Sequence, residues 1–521
     1  MDRGFQLTIQ RIASQGRLSE FIAADDMLNV DIKLRGHQFH KNRTHILKQY
    51  KNSQEGRELL EFLESYATCV NHYFRNISKM RPLELFLVGI DPAKETFMPE
   101  DAISILALMT FPGLSESQLD QEKFIVESVA HSDDATTLAK HLMHPHLNEL
   151  NQDVISLIRK VGTYQPLLTL KKAADQTAKK TLEQIVPSMK GSNNWCVAPK
   201  KSKSGHAMYA SDPHLDIARL PPVWAEVVSH QEPWNKKSVK NSNGNFIAGV
   251  TLPGIPLVAM GRTKNIAYGF SYGFADLFDY FIEECNDQME CKNDQGKFEK
   301  VKHEIQVIKR KGKESVNMHL FFTARGMLEM QDMTASTFKA GFYLSRASSV
   351  HEMNGSSFKL SKMLQAKTVQ EAIPILRDCE ISANMVIVDT SGNIAYVQTG
   401  LVPNRTATTG LFPVPAWESK YKWNGLLNSE SLLTIVNPEE GFIATANNEW
   451  NKPNGPLAVS LHTGSYRKNR IDELLKETIL HSEEDFKRIQ KDLFSKHAEA
   501  YMKILKPLVP LKKNATVALK T

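Results

Sequence analysis

The stretch Gly191-Ser192-Asn193-Asn194-Trp195-Cys196 places a hydroxyl between a glycine and two amides. Such a run is ordinary turn chemistry, yet it also holds a nucleophile. A serine hydroxyl is weak until a neighbouring base takes its proton. An internal peptide nitrogen cannot do that, whereas a free α-amine titrates at about 7.7–8.0, close to working pH. Ser192 therefore becomes reactive if the chain is cut between Gly191 and Ser192. Glycine at 191 suits that cut, because it tolerates the backbone angles that attack on its own carbonyl requires.

The elements around this stretch change character at it. Upstream, Leu59, Leu63, Tyr66, Val70 and Tyr73 recur at three- and four-residue steps between Glu58 and Phe74, which predicts an amphipathic helix. Helical patterning returns from Asp153 to Ile158 and through Thr181-Leu182-Glu183-Gln184-Ile185-Val186. Downstream, the segments 205–215, 246–261 and 265–274 are short, bounded by turns, and read as buried strands. Residues 384–400 read as a hairpin with Ser391, Gly392 and Asn393 at its tip. Residues 297–330 read as an exposed, strand-rich excursion. Ser482 with Asp485 forms a capping-box pattern that predicts a helix running to about Leu505. Helices first, then antiparallel strands, then helix again argue for an α+β layered fold.

Composition narrows the function classes. The chain has 521 residues, 41% apolar and 23% charged, as expected of a globular protein rather than a disordered one. Lys and Arg number 64 against 58 acids, and a net charge of +6 over this length is too mild to predict nucleic-acid binding. The most apolar run, Ala102–Phe111, is half the length of a membrane span and suits a buried helix. Five cysteines make no disulfide scaffold; Cys285 and Cys291 could bridge in an oxidising compartment, but the expectation is free buried thiols.

Several motifs in register resemble one family, the penicillin acylases among the N-terminal-nucleophile hydrolases. They are GSNNWCVAP at 191–199, ASDPHL at 210–215, residues 253–281, GNIAYVQTGLVPNR at 392–405, IATANNEW at 443–450 and YRKNRIDELL at 466–475. The segment Asp2–Phe21 is similar to an early part of the family's α subunit. The resemblance implies a four-layer αββα sandwich. It implies a mainly helical α-subunit portion with linker at 1–191 and a β-subunit portion at 192–521, the two fragments of one precursor being partners. It implies an acylase that hydrolyses the amide of a small N-acyl compound, such as an N-acyl homoserine lactone or a β-lactam side chain, with no organic cofactor.

Residue by residue, the resemblance makes Ser192 the nucleophile and Gly191-Ser192 the cleavage site. The backbone N–H of Tyr272 and the amide of Asn447 become oxyanion donors, Arg467 orients them, and His214 stands next to the nucleophile. Leu215 and Phe270 match acyl-pocket walls. Asp276 and Asp279, with the carbonyls of Phe278 and Pro403, match the ligands of a structural calcium. A further family ligand is an aspartate, and residues 448–466 contain none. The family is periplasmic, although the N-terminus shows no export-signal layout. Family members extend before Met1 and beyond Thr521, so the alternative expectation is a truncated, catalytically silent acylase-like chain.

Two further patterns are weaker. Ser356 and Lys359, with Asn384 and the run His462–Gly464, faintly echo Ser-x-x-Lys penicillin-recognising enzymes. His141, His144 and His146 form a cluster without a convincing fourth ligand, which reads as a polar helix end.

Overall fold

A computed structural model describes residues 3–39, 43–77, 82–110, 152–161, 189–215, 225–230, 246–330, 332–408, 410–453, 455–456, 458–459 and 464–506. The helical pattern at 181–186, the cluster His141–His146 and His462 lie outside these residues. Helices occupy the described residues ahead of the first strand. Gln54–His72 forms where the apolar stripe predicts it, with Leu59, Leu63, Ala67 and Val70 buried and the Ser53 hydroxyl accepting the Gly56 N–H at 3.0 Å. Pro99–Thr110 is buried from Asp101 to its end, as a core helix should be. Gln152–Lys160 buries Val154, Ile155 and Ile158. Among the described residues, no helix is long and apolar enough to cross a membrane.

The strands form three sheets. In the smallest, Met189–Val197 lies between Phe442–Thr445 and Met208–Leu215, antiparallel to both. Against it packs a seven-stranded sheet whose centre is Ile266–Tyr272, Ala383–Asp389 and Ile394–Thr399. Cys196, Val386, Val388, Tyr396 and Ile443 fill the space between the two. Tyr466–Glu477 and Glu483–Gln490 cover the outer face of the small sheet, burying Ile471, Leu474, Leu475, Phe486 and Ile489 against Trp195 and Val197. Helix Val369–Arg377 packs on the outer side of the seven-stranded sheet. The order helix, sheet, sheet, helix is the αββα sandwich. Each fully buried Leu, Ile or Phe side chain stabilises such a layer by about 1.5–3 kcal/mol.

Alternation along Met189–Val197 decides which residue faces which layer. Trp195 and Val197 meet the helices, and Cys196 meets the seven-stranded sheet. Ser192 shares the parity of Cys196, so its hydroxyl points into the space between the sheets. The hairpin forms as read, with the Asp389 N–H donating to the Asn393 carbonyl at 3.0 Å and Gly392 at φ 93°.

Two expectations need correction and one gains detail. The helix expected to run to Leu505 is two helices, Glu483–Gln490 and Lys496–Leu505. The capping box is present, but Arg470 holds the Asp492 carboxylate at 2.8 Å and Ser495 caps a new start by accepting the Ala498 N–H at 3.1 Å. The excursion at 297–330 is strand-rich, with Phe298–Lys300 and much of Lys302–Arg310 exposed. Its strands stand at both ends of an eight-stranded sheet, Phe298–Lys300 at one and Lys302–Arg310 at the other, and Ile308, Met318, Leu320 and Met327 pack against Leu28 and Ile32 of helix Asp26–Gly36. Cys285 and Cys291 form a disulfide rather than free thiols, because the turn between them sets them opposite each other in register. Cys196 and Cys379 are free and buried, and burial pushes the Cys379 thiol up to about 12.

Candidate active site

Ser192 is fully buried on the inner face of the small sheet. Two donors approach its Oγ, each at 3.4 Å: the backbone N–H of Tyr272, at the end of the neighbouring sheet's central strand, and Nδ2 of Asn447. These are the two groups named as oxyanion donors. Contacts this long are usual before a reacting group is in place. Asn447 lies just beyond Phe442–Thr445 at φ 62°, a left-handed conformation that asparagine tolerates better than most residues. Its amide orientation is fixed by chemistry. Oδ1 receives the Ser192 N–H at 2.7 Å and Arg467 Nη2 at 2.8 Å, both obligate donors, which turns Nδ2 toward Ser192 Oγ and the Tyr272 carbonyl at 3.0 Å.

Arg467 stands in the first turn of Tyr466–Glu477. Its Nη1 donates to the Ser192 carbonyl at 3.0 Å and to Asn193 Oδ1 at 2.6 Å. The residue is exposed, yet its guanidinium is partly desolvated where it meets the strand. That desolvation lowers its pKa, and the nearby Asp212 carboxylate opposes the shift. A planar fork is what allows one side chain to hold a carbonyl and two amides together. Gly191 takes no left-handed angle; space is what favours glycine there, since a Cβ would stand 3.2 Å from Arg467 Nη2.

The remaining site residues fall on different faces. The register pairs Ser192 with Pro213 and Gly191 with His214, so the His214 ring lies on the Asn193 side of the sheet rather than the Ser192 side. There its Nε2 is 3.3 Å from Asn193 Nδ2 and 3.2 Å from Asp212 Oδ2. Leu215 pairs with Met189 through its backbone. Phe270 is buried in the main hydrophobic cluster with Tyr268.

Sequence reading missed several supports. Asn384 is fully buried; its Nδ2 donates to the Tyr272 carbonyl at 3.3 Å and its Oδ1 accepts from Tyr396 OH at 2.8 Å, fixing the peptide that follows the candidate donor residue Tyr272. Asn193 links Arg467 to His214, and Asp212 backs the histidine. Only their nearness to Ser192 and His214 in the chain hinted at this. Asn194 accepts from Tyr209 OH at 3.2 Å, and Trp195 packs in the helix-facing core.

The positions assigned to calcium are taken up by one residue, three of them by its side chain and Pro403 by its backbone N–H. Arg405 lies with Nε 3.0 and 3.2 Å from the Asp279 carboxylate oxygens and Nη2 3.3 Å from Asp276 Oδ1. Nη2 also donates to the carbonyls of Asp276 at 3.3 Å and Phe278 at 3.1 Å, while the Arg405 backbone N–H donates to the Pro403 carbonyl at 3.2 Å. Calcium takes six to eight oxygens at about 2.3–2.6 Å. With the guanidinium among these oxygens, the residues present do not fit the ion.

The Ser-x-x-Lys pattern does not assemble. Ser356 Oγ donates to the Asp378 carbonyl at 2.7 Å, and Lys359 Nζ is held by Asp378 at 2.8 Å and Glu55 at 3.0 Å. Asn384 sits at Tyr272 instead. A surface cavity of about 210 Å³ on the eight-stranded sheet, lined by Glu283, Cys291, Thr323 and Arg325, shares no residue with the Ser192 site.

Comparison with known proteins gives this geometry a context. An acyl-homoserine lactone acylase QuiP of Pseudomonas fluorescens (strain Pf0-1) is 27% identical over 449 residues, 86% of this chain and 52% of its own length. The penicillin acylase 2 proenzyme of Pseudomonas sp. (strain SE83) is 24% identical over 506 residues, 95% of this chain and 61% of its own. The chain thus spans about half the length of the acyl-homoserine lactone acylases it matches. The thermostable penicillin G acylase of Alcaligenes faecalis aligns with a TM-score of 0.49 at 18% identity, over 63% of this chain and 58% of that one. A family model described as penicillin amidase matches residues 1–521. The chain belongs to the penicillin amidase family.

Proposed function

We propose that this chain is an acylase precursor whose Ser192, once freed as a chain terminus, hydrolyses the amide of a small N-acyl compound. The observation that carries the reading is the convergence on Ser192 Oγ of two donors from two sheets, with Asn447 Oδ1 already on the nitrogen that becomes the amine. The names of the relatives supply the substrate class: acyl-homoserine lactones and penicillins are both amides with an apolar acyl group.

In the uncut chain Ser192 is sealed. Met189 and Gly191 continue its strand and pair with Leu215 and His214. Attack of Ser192 Oγ on the Gly191 carbonyl carbon forms an ester as the bond to Ser192 N breaks; the hydroxyl proton ends on that nitrogen. Water then hydrolyses the ester, and residues 189–191 are free to withdraw from the strand. The new amine takes the Oγ proton when a substrate carbonyl is attacked. Negative charge develops on the substrate oxygen between Tyr272 N–H and Asn447 Nδ2, where donors cost no reorganisation during the reaction. The leaving amine departs with a proton, and water releases the acyl group from Ser192. Arg467 holds the strand and the amide in register throughout.

Denaturing electrophoresis with terminal sequencing tests the reading. Two fragments are expected, one starting Ser-Asn-Asn-Trp, together with hydrolysis of N-acyl substrates across a series of acyl lengths. In Ser192→Ala both the split and the activity should disappear, the latter by ~10⁴-fold or more. A single band starting at residue 1 in preparations that hydrolyse these substrates would rule out the amine as base.

A further inference from the structure

We propose that Arg405 is a built-in cation that takes the place of a divalent ion between Asp276 and Asp279, so that this chain neither needs nor holds calcium there. All four positions matched to ligands give their oxygens to this one residue: Asp276 by carboxylate and carbonyl, Asp279 by carboxylate, Phe278 and Pro403 by carbonyl. The side chains concerned are almost wholly enclosed, Arg405 at 5%, Asp276 at 1% and Asp279 at 3% exposure. Two carboxylates at that depth require a positive partner. A guanidinium supplies one that cannot lose its charge at working pH, and its flat fork spans several acceptors.

The surroundings are shaped to the pair. Trp423 Nε1 donates to the second oxygen of Asp279, and the Trp423 ring lies 5.9 Å from the guanidinium carbon. Gly410, at φ 83°, closes over it so tightly that a Cβ would stand 2.3 Å from Asp279 Oδ1 and 2.6 Å from Arg405 Nε. A covalently attached cation joins the loop at 403–405 to the strand Phe278–Cys285 without depending on free ion concentration. The inference rests on neither Ser192 nor the proposed cut.

The test is thermal unfolding with metal analysis of the full chain. After dialysis against a chelator, the wild-type protein is expected to carry no calcium, and its Tm should not move when millimolar calcium is added. Arg405→Ala removes the guanidinium while leaving the oxygens, and calcium should raise the Tm of that variant by about 3 °C or more. Retention of one calcium per wild-type chain, or a Tm that falls on chelation and returns with calcium, overturns the proposal. So does a folded Arg405→Ala that calcium leaves unchanged. If Arg405→Ala does not fold, the wild-type measurement decides: calcium-free protein insensitive to the ion supports the inference, and calcium dependence refutes it.

Discussion

Arg467 and Arg405 each gather acceptors from distant parts of the chain, but they do so in opposite surroundings. Arg467 is an exposed residue whose hydrogen bonds go to the neutral oxygens of Ser192, Asn193 and Asn447, with the Asp212 carboxylate nearby. Arg405 is enclosed and meets two carboxylates. A charge in contact with water needs no counter-charge, and its hydrogen bonds serve to orient. An enclosed charge without one would be too costly to bury. The first arrangement orients the groups around Ser192; the second sets one cation against two carboxylates and joins a loop to a strand. Residue type alone does not distinguish these roles.

The sharpest way to break that contrast is to remove both charges in turn. Arg405→Met leaves Asp276 and Asp279 enclosed without their cation and should destabilise the fold by about 3–5 kcal/mol in calcium-free buffer. Arg467→Met unsatisfies neutral acceptors at the edge of solvent and should lower Tm far less. Denaturant unfolding of the two variants reads the difference. Equal losses would show that Arg467 is as structural as Arg405.

A milder substitution sharpens the other side. Arg467→Lys keeps the charge but not the fork, and a single ammonium cannot hold the Ser192 carbonyl, Asn193 Oδ1 and Asn447 Oδ1 together. Losing one charged hydrogen bond is worth about 1.5–3 kcal/mol, so the rate of self-cleavage should fall by roughly 10- to 100-fold with little change in Tm. Following the appearance of the smaller fragments over time measures it. An unchanged rate would mean that the positive field matters at Ser192 and the alignment does not.

Much of the Ser192 site was legible through the resemblance of its short motifs to one family. That resemblance named Ser192, Tyr272, Asn447 and Arg467, and the packing of the two sheets and of helix Tyr466–Glu477 brings the four together. What was not legible depends on pairings that only the fold creates. Arg405 stood inside a recognised motif as an ordinary cation, since nothing local shows that Asp279, 126 positions earlier, lies against it. Calcium was therefore expected where an arginine sits. The side of the sheet that His214 takes follows from the uniform register that pairs Gly191 with His214 and Val197 with Met208, a pairing that no composition announces. The strands Glu290–Lys292, Phe298–Lys300 and Met327–Leu328 are too short for periodicity to reveal, so the eight-stranded sheet passed as an excursion. The break between Gln490 and Lys496 carries neither Gly nor Pro; it follows from Arg470 reaching Asp492.

The exposed extreme of the same contrast is the capping box at Ser482. Here a carboxylate at the surface is held by a hydroxyl and a peptide group rather than by a buried cation. Asp485 accepts from Ser482 Oγ at 2.6 Å and from the Ser482 N–H at 2.9 Å, and these bonds, the hydroxyl's first, draw its pKa down to about 2. A carboxylate whose folded pKa is depressed contributes stability above its ordinary value of 3.8, and that contribution is lost as the pH falls through about 2. Ser482→Ala removes the hydroxyl that accepts the Asp485 N–H and donates to the Asp485 carboxylate, leaves the Ser482 N–H on that carboxylate, and should cost about 1 kcal/mol at neutral pH. The gap between wild type and variant should narrow progressively below about pH 4, where Asp485 begins to protonate in the unfolded chain. Denaturant melts at a series of pH values measure that gap. A gap that stayed constant down to pH 2 would mean that the hydroxyl stabilises the helix start through the Asp485 N–H alone, and that the carboxylate adds nothing.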